Sequence, residues 1–572
     1  MGVVYERWSV GTRNPLIESK LQAELGIPAL VAGLLINRGI TDAAAADKFL
    51  NPRLEHFHRP ELLPDYAPAV REIRAAQANG DTIFVHGDYD ADGVTSAAIL
   101  VRFLRVMKCE VIPHVPHRVR EGYGIHESVV AAAAASGAKL FLTCDCGVAA
   151  HEQVKQANAA GMRVVVTDHH SVGVDLPEAA AVINPHRSDS TYPFSELSGA
   201  GVAFKLCEGL ARENGLKIEE FYRRYLDLAV LGTIADMMPL VDENRLIAHF
   251  GLQALKDTRK AGIQAIMKNA RMNPSDGVTS RDVGWRIGPR LNAAGRIQDA
   301  ALALRLLLSN DPAEAQPIAD EIEAVNQERR DEQDRLAEEA IAAVIESGQA
   351  DRNVIIIASE NWHPGIIGIV AGKIAERFRR PTFVGAIDPA TGVVKASGRS
   401  IRGFDLASTI RENPELFIGG GGHAMAAGCS FDGAHIEELR LQLHAFAGAQ
   451  IDPADFIPSA DVDFEVLATE VSAETTESLS KMEPYGNGNR QPTFLVRGVE
   501  LRQLMPMRDP KHAKLTIAAG NGSVGGILFG AADKLSALGA GKKLDLLFRP
   551  EFNIWQNRRK FRWNVIDFQE AA

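Results

Sequence analysis

Four short clusters of acids and histidines lie between positions 86 and 236. The first, HGDYDADG, supplies His86, Asp88, Asp90 and Asp92. The second, TCDCG, is centred on Asp145. The third, TDHH, supplies Asp168, His169 and His170, and the fourth, ADMMPL, supplies Asp236. Taken singly, each has an ordinary explanation. An aspartate after a strand often caps a helix, and a His-His pair often sits on a solvated surface. The first cluster could open a calcium loop. Such a loop needs a glutamate at its twelfth position, and counting from Asp88 that place holds Ile99. Taken together, carboxylates and imidazoles meeting in one place repel or stay unpaired unless cations join them. Oxygen-rich ligands with some imidazole suit Mn2+ or Mg2+ better than zinc. Two such ions about 3.5–4 Å apart can stabilise both attacking and leaving oxygens in phosphoryl transfer.

The elements around these clusters should bring them together. Short apolar runs stand at 83–85 (IFV), 110–115 (EVIPHV), 140–143 (LFLT) and 163–167 (RVVVT), separated by alanine-rich helical stretches. This alternation predicts an α/β fold with a doubly wound parallel sheet. In such sheets ligands sit beyond the carboxyl ends of the strands. Three clusters directly follow strand-like runs, and Asp236 ends a helix-like one, LAVLGTIAD. Residues 1–70 read as helices with proline-rich connections, and 204–270 as helical. Residues 311–348 read as one long helix with Ile318, Ile322 and Val325 on one face. A second α/β pattern runs from 354 to about 450. The tail after it is β-rich with Gly-marked turns, which predicts a small barrel or sandwich.

Composition sets wider bounds. A chain of 572 residues is too long for one core and predicts three or four domains. Hydrophobic residues at 46% and charged ones at 24% are ordinary for a globular protein. No run of about eighteen apolar residues predicts a membrane span, and the N-terminal stretch lacks the pattern of a secretion signal. Five cysteines without a CxxC pair argue against zinc and against a disulfide framework, and fit a reducing cytoplasm. The net charge is -11, which at first speaks against nucleic acid. Residues 311–348, however, hold twelve acids against three arginines, so that segment alone carries -9. The remainder is near neutral, and local patches decide binding.

Several stretches could hold phosphates. WRIGPRLNAAGR (285–296) offers Arg286, Arg290, Asn292 and Arg296, which could also be ordinary helix-surface groups. KASGRS places Ser397 and Arg399 two apart, on one face if the stretch is a strand. GGGGHAMAAG (419–428), with Gly422 and His423, would let backbone approach a phosphate, although a glycine run alone is more often a linker. Residues 541–572 hold seven basic residues against four acidic ones. Phe548, Phe552, Trp555, Phe561, Trp563 and Phe568 interleave with them. That pattern suits single-strand binding in an OB-like fold, with at least half the rings expected in the core.

The motif order HGDYDADG, TCDCG, VTDHH and ADMMPL resembles the DHH phosphoesterase family. LLINRGITDAAAADKFLNP (34–52), GPRLNAAGR and the GYG at 122–124, preceded by PHRVRE, resemble its RecJ-type exonucleases. The resemblance implies a helical lead-in (1–70), a parallel-sheet DHH catalytic domain (71–310) and a connector helix (311–348). A second α/β, DHH-associated domain (349–450) and an OB-fold-like domain (451–572) would follow. It implies two Mn2+ or Mg2+ ions. His86, Asp90 and Asp92 would form the first site, Asp145 would bridge, and His169 and Asp236 would complete the second. Asp88 would be a ligand or a structural acid. His170 would face the scissile phosphate, oriented by Asp168. Arg118, Ser397 and Arg399 would hold a terminal 5′ phosphate. Arg290, Asn292, Arg296, Gly422 and His423 would contact nearby backbone phosphates. The implied activity is 5′-to-3′ hydrolysis of single-stranded DNA to 5′-mononucleotides in repair and recombination. The enzyme would be a cytoplasmic monomer, not membrane-bound, working with single-strand-binding protein and a helicase. Two other readings are an oligoribonuclease-like phosphatase or pyrophosphatase of the same family, and an inactive replication scaffold. The long tail speaks against the first and the full set of motif residues against the second.

Overall fold

The computed structural model describes residues 5–118, 121, 124–555 and 558–571. A short strand, β1 (Arg7–Val10), precedes helices Pro15–Leu25 and Ala29–Ile36. The first sheet follows, formed by β2 (Ile83–Gly87), β3 (Val111–His114), β4 (Leu140–Cys144), β5 (Arg163–Thr167) and β6 (Ala181–Ile183). All its pairings are parallel, in the order β3-β2-β4-β5-β6. Strands β2 and β4 are buried along their whole length. Continuous apolar runs, rather than alternating ones, are what a sheet covered on both faces requires. The chain steps from β2 to β3 on one side, then returns to lay β4 on the other. The loops after β2 and β4 therefore diverge, and a crevice opens between them at the carboxyl edge.

The expected long helix spans Pro312–Glu346, with Ile322 and Val325 buried. Beyond it lie β7 (Ile355–Ser359), β8 (Thr382–Ile387), β9 (Val393–Arg399), β10 (Gly419–Gly422) and β11 (Ala426–Asp432). This second sheet, ordered β10-β11-β9-β8-β7, is mixed: β7 and β8 run parallel, and the other pairs are antiparallel. The tail contributes β12 (Ser459–Val462), β13 (Phe464–Glu465), β14 (Phe494–Pro506), β15 (Ala513–Ala519), β16 (Gly522–Leu528), β17 (Lys543–Trp555) and β18 (Arg558–Glu570). Strand β14 pairs with both β15 and β17, which closes β14-β15-β16-β18-β17 into a barrel. Phe548 and Trp563 are fully buried and stack at 3.9 Å in its core. Phe561 and Phe568 pack partly against the same core, and the Trp555 side chain lies outside the described residues. Core packing thus claims at least half of the tail aromatics, as expected.

The N-terminal stretch does not fold by itself. Leu21, Leu34, Leu35 and Phe49 share one core with Phe464, Phe494 and Trp563 of the tail, and β1 pairs in parallel with β12. From Phe57 onward the chain packs instead under the first sheet. Hydrophobic periodicity shows which face of a helix is buried but not against what, so this split was invisible in the sequence. Arg245, buried on the helix Asp242–Lys256, joins the parts. It donates to the carbonyls of Phe49, Lys481, Met482 and Glu483, and its guanidinium lies 3.8 Å from the Phe49 ring centre. No single helix among the described residues is long and apolar enough to cross a membrane.

Arg245→Ala strands four carbonyls at a buried junction. It should destabilise the chain by on the order of 3 kcal/mol, read as an earlier thermal transition. An unchanged transition would show that the junction contributes nothing.

Candidate metal centre and strand-binding site

The four clusters meet at the carboxyl edge of the first sheet. Asp88 follows β2, Asp145 follows β4, and Asp168, His169 and His170 follow β5. Asp90 caps the helix Ala91–Val106, accepting from the Asp92 and Gly93 amides at 2.9 and 3.1 Å. Asp92 sits in that helix's first turn. Asp236 follows the helix Ile218–Ala235 as its C-cap. Donor atoms of Asp88, Asp90 and Asp145 lie within 4.8 Å of one another, as do those of Asp92, His169 and Asp236. A third group at that spacing is Asp145, His169 and His170. His169 Nε2 is 3.0 Å from Asp145 Oδ1, and 3.7 Å from both Asp92 Oδ2 and Asp236 Oδ2.

This packing has an electrostatic consequence. Burial, then the neighbouring carboxylates, pushes Asp236 up to about 9. Burial and Asp90 push Asp92 up to about 7. Asp145 and Asp88 are raised well above the usual carboxylate range by the same causes. The Oδ1 atoms of Asp88 and Asp145 are buried and accept no hydrogen bond among the described residues, Asp145 Oδ1 having only the lowered, neutral His169 ring beside it. Buried anionic oxygens without donors are what divalent cations satisfy, and an oxygen-rich set with imidazole fits Mn2+ or Mg2+. The residues present fit such a pair.

His169 and His170 differ in charge. Burial and its neighbour His170 hold His169 down to about 3, leaving it neutral and able to offer a lone pair. Burial would lower His170 too, but its 2.8 Å bond to Asp168 holds it up to about 9. Asp168 also accepts from the amides of Val148, His169 and His170. Those bonds offset its burial and keep it ionised, below its ordinary value.

Several expected sites turn out otherwise. His86 joins none of these groups; its Nδ1 faces His114 Nδ1 at 3.0 Å and its Nε2 faces the Gly124 carbonyl. His86 is the register partner of His114 on β3, and the two rings stack, while Asp88 lies in the loop beyond β2. Asp92 groups with His169 and Asp236 instead of with His86. Arg290 is buried and bound to Glu323 of the connector helix at 2.5 Å, so it ties two elements together. Arg286 is likewise spent on Asp282 and on the carbonyls of Ala270 and Arg271. Asn292 accepts from the Ala91 amide at 2.8 Å and thereby fixes the start of the motif helix.

A second set of groups forms an anion cradle. Ser397 and Arg399 share a face of β9, at the helix Ile367–Phe378: a Cβ on Gly368 would lie 3.2 Å from the Arg399 guanidinium and 3.4 Å from Ser397 Oγ. Arg118 lies over the Tyr89 ring at 4.9 Å. Arg296 donates to the Gly365 carbonyl at 3.1 Å and is held down to about 10, first by burial and then by Arg118. Arg399 is lowered by burial and by Arg118. Two buried arginines lowered by a third form a site that suits an anion. Gly428 pairs with Ser397, and Gly421 pairs with Gly428, so a row without side chains extends from the cradle. Gly422 and His423 lie beyond it, exposed at the β10–β11 turn. Of the other expected positions, Val119, Arg120, Gly122 and Tyr123 fall outside the described residues.

Comparison with known proteins follows the same partition. Residues 82–233 match the DHH family N-terminal domain, 351–449 the DHHA1 domain, and 462–567 the RecJ OB domain. The single-stranded-DNA-specific exonuclease RecJ of Dickeya dadantii is 34% identical, over 96% of each chain. That of Bacillus subtilis is 35% identical, over 97% of this chain and 70% of that one. The chain belongs to the RecJ family. The solved Thermus thermophilus RecJ with Mn2+ superimposes with a TM-score of 0.83, at 28% identity over 99% of this chain and 80% of that one. The same protein with Mg2+ gives 0.76.

Some positioning groups of this RecJ-family site escaped sequence reasoning. Asp92 receives the amides of Gly199 and Ala200, at 2.7 and 2.9 Å, from the first turn of the helix Gly199–Glu213. A Cβ on Gly199 would stand 2.5 Å from Asp145 Oδ1, and one on Gly232 2.3 Å from Asp92 Oδ1. The stretch LSGAG, with Ser198 as N-cap, was the available signal. Asn184, holding the His170 carbonyl at 2.9 Å, had none.

The raised carboxylates predict a pH dependence. A free aspartate titrates near 3.8, so without cations the folded chain keeps protons that the unfolded chain has lost, up to about 9 at Asp236. Stability then falls as pH rises through that window. Above 6.5 His169 is neutral in both states, and the raised His170 acts in the same direction as the carboxylates. In EDTA, Tm should fall from pH 6.5 to 9; saturating Mn2+ should flatten that fall, and Asp236→Asn should lessen it. Equal slopes with and without Mn2+ would contradict the assignment.

Proposed function

We propose that the chain is a single-stranded-DNA-specific exonuclease acting from the 5′ end. The observation that carries this reading is the pairing of a cation-demanding carboxylate centre with an arginine cradle that makes no ion pair among the described residues. In this reading Asp88, Asp90 and Asp145 would hold one divalent ion, and Asp92, His169 and Asp236 the other, with Asp145 beside His169 where the two groups meet. Two ions so held would supply the Lewis acidity that phosphodiester hydrolysis needs. His170, kept protonated by Asp168, donates to a non-bridging phosphate oxygen as charge develops there. Arg118, Ser397 and Arg399 bind the terminal 5′ phosphate, and Arg296 a neighbouring one.

The cradle sets polarity by charge. A terminal phosphate carries more charge than an internal one and matches several arginines better. Water adds to the next phosphorus and the bond to the first nucleotide's 3′ oxygen breaks. A 5′-mononucleotide leaves, and the shortened strand again ends in a 5′ phosphate, so cleavage can repeat. The barrel's exposed basic residues, such as Arg559 and Lys560, supply backbone attraction for the strand beyond. Single-strand-binding protein and a helicase are the partners this role calls for.

Asp145→Ala should abolish cleavage, by 1000-fold or more as an order of magnitude, while leaving strand binding largely intact. Normal turnover would remove the central assignment. Arg399→Ala should weaken the preference for a 5′-phosphorylated end more than it weakens general strand affinity. Equal loss on phosphorylated and hydroxyl ends would place the pocket elsewhere.

A further inference from the structure

Asp236 is held differently from the other carboxylates of the centre. Asp92 is fixed by two helix amides and Asp90 by its cap bonds. The Asp236 carboxylate accepts no hydrogen bond among the described residues, and a third of its side chain is exposed. Its place is therefore set by its backbone, at the point where the helix Ile218–Ala235 gives way to the loop Met237–Val241. That loop opens with Met237 in the left-handed region, φ +57°, which a side chain other than glycine adopts only under restraint.

The restraint comes from far along the chain. Asn487 lies in the segment that leads into the barrel. Its Nδ2 donates to the Met237 carbonyl at 2.7 Å, and its own carbonyl accepts from the Leu240 amide at 2.7 Å. Two glycines permit this approach: a Cβ on Gly486 would stand 2.6 Å from Leu240 Cδ1, and one on Gly488, at φ +70°, 2.9 Å from Pro239 Cβ. The turn itself is rigid. Asn489 donates to the carbonyls of Met482 and Pro484 and accepts from Arg38 at 2.7 Å. Arg245 binds the Met482 carbonyl as well, and Arg245 and Ser280 bind two further points of the same segment, the carbonyls of Glu483 and Tyr485.

We propose that the Glu483–Asn489 segment is a strut for the metal centre, and that Asn487 is a positioning residue for Asp236. The proposal rests on the reading of Asp236 as a cation ligand. It gives the barrel's lead segment a part in assembling the site, beyond connecting two domains. A partner outside the ligand shell that orients a ligand changes metal affinity by about 10–100-fold when removed.

The test is calorimetric titration of the full chain with Mn2+ alone, without DNA. Asn487→Ala and Asn487→Asp, which both delete the N–H donor, should weaken one of two binding steps about tenfold. Affinity for a 5′-phosphorylated strand in EDTA should stay unchanged. Arg490→Ala, which removes ion pairs to Asp461 and Asp463 in the same stretch, should leave the Mn2+ isotherm as it is. Asp236→Asn should weaken the same step further. Native isotherms for both Asn487 variants, with or without a lowered Tm, would overturn the strut. A native isotherm for Asp236→Asn would instead remove the ligand assignment, and the strut with it.

Discussion

Mutual repulsion among buried carboxylates governs the catalytic lobe. Asp88, Asp90, Asp92, Asp145 and Asp236 are drawn into one crevice around His169. Folding alone would not favour that arrangement, because burial and then the neighbouring carboxylates raise the proton affinity of Asp88, Asp92, Asp145 and Asp236. The scaffold compensates only in part. The first turn of the helix Gly199–Glu213 gives two amides to Asp92, but none reaches Asp88 Oδ1 or Asp145 Oδ1. What remains unsatisfied is a demand for divalent cations, and the sheet topology places that demand at the mouth of the crevice between β2 and β4.

The arginine cradle is the complementary case. Burial, and then the charge of Arg118, lowers Arg296 and Arg399, and among the described residues Arg296 and Arg399 bind backbone carbonyls while Arg118 lies over the Tyr89 ring. Arg118 and Arg296 belong to the catalytic lobe and Arg399 to the second one, so the cradle draws on both lobes that the Pro312–Glu346 helix joins. A strand of phosphates is the group that satisfies both the cations and the cradle. Arg290, which sequence reasoning placed among the groups near backbone phosphates, pins the catalytic lobe to that helix through Glu323.

The four motifs, the parallel sheet, the long helix and the barrel were legible because each depends on local pattern: apolar runs, strand-end acids, charge density and Gly-marked turns. What was not legible depends on partners distant in sequence. Nothing near Arg290 or Asn292 announces Glu323 or the Ala91 amide as its partner. His86 has the same spacing from Asp88 as Asp88 has from Asp90, yet the end of β2 falls between them and sends the two side chains to different surroundings. The N-terminal helices carry ordinary amphipathic patterns, and only the fold shows that the barrel completes their core. Asn487 lies about 250 positions from the loop it braces.

The most direct test is digestion of end-labelled single-stranded and duplex DNA by the full chain, with Mn2+, Mg2+ or EDTA. The account predicts release of a 5′ label as mononucleotide from single strands, with either cation and not with EDTA. Cleavage that persists in EDTA, or that starts from the 3′ end, would contradict it.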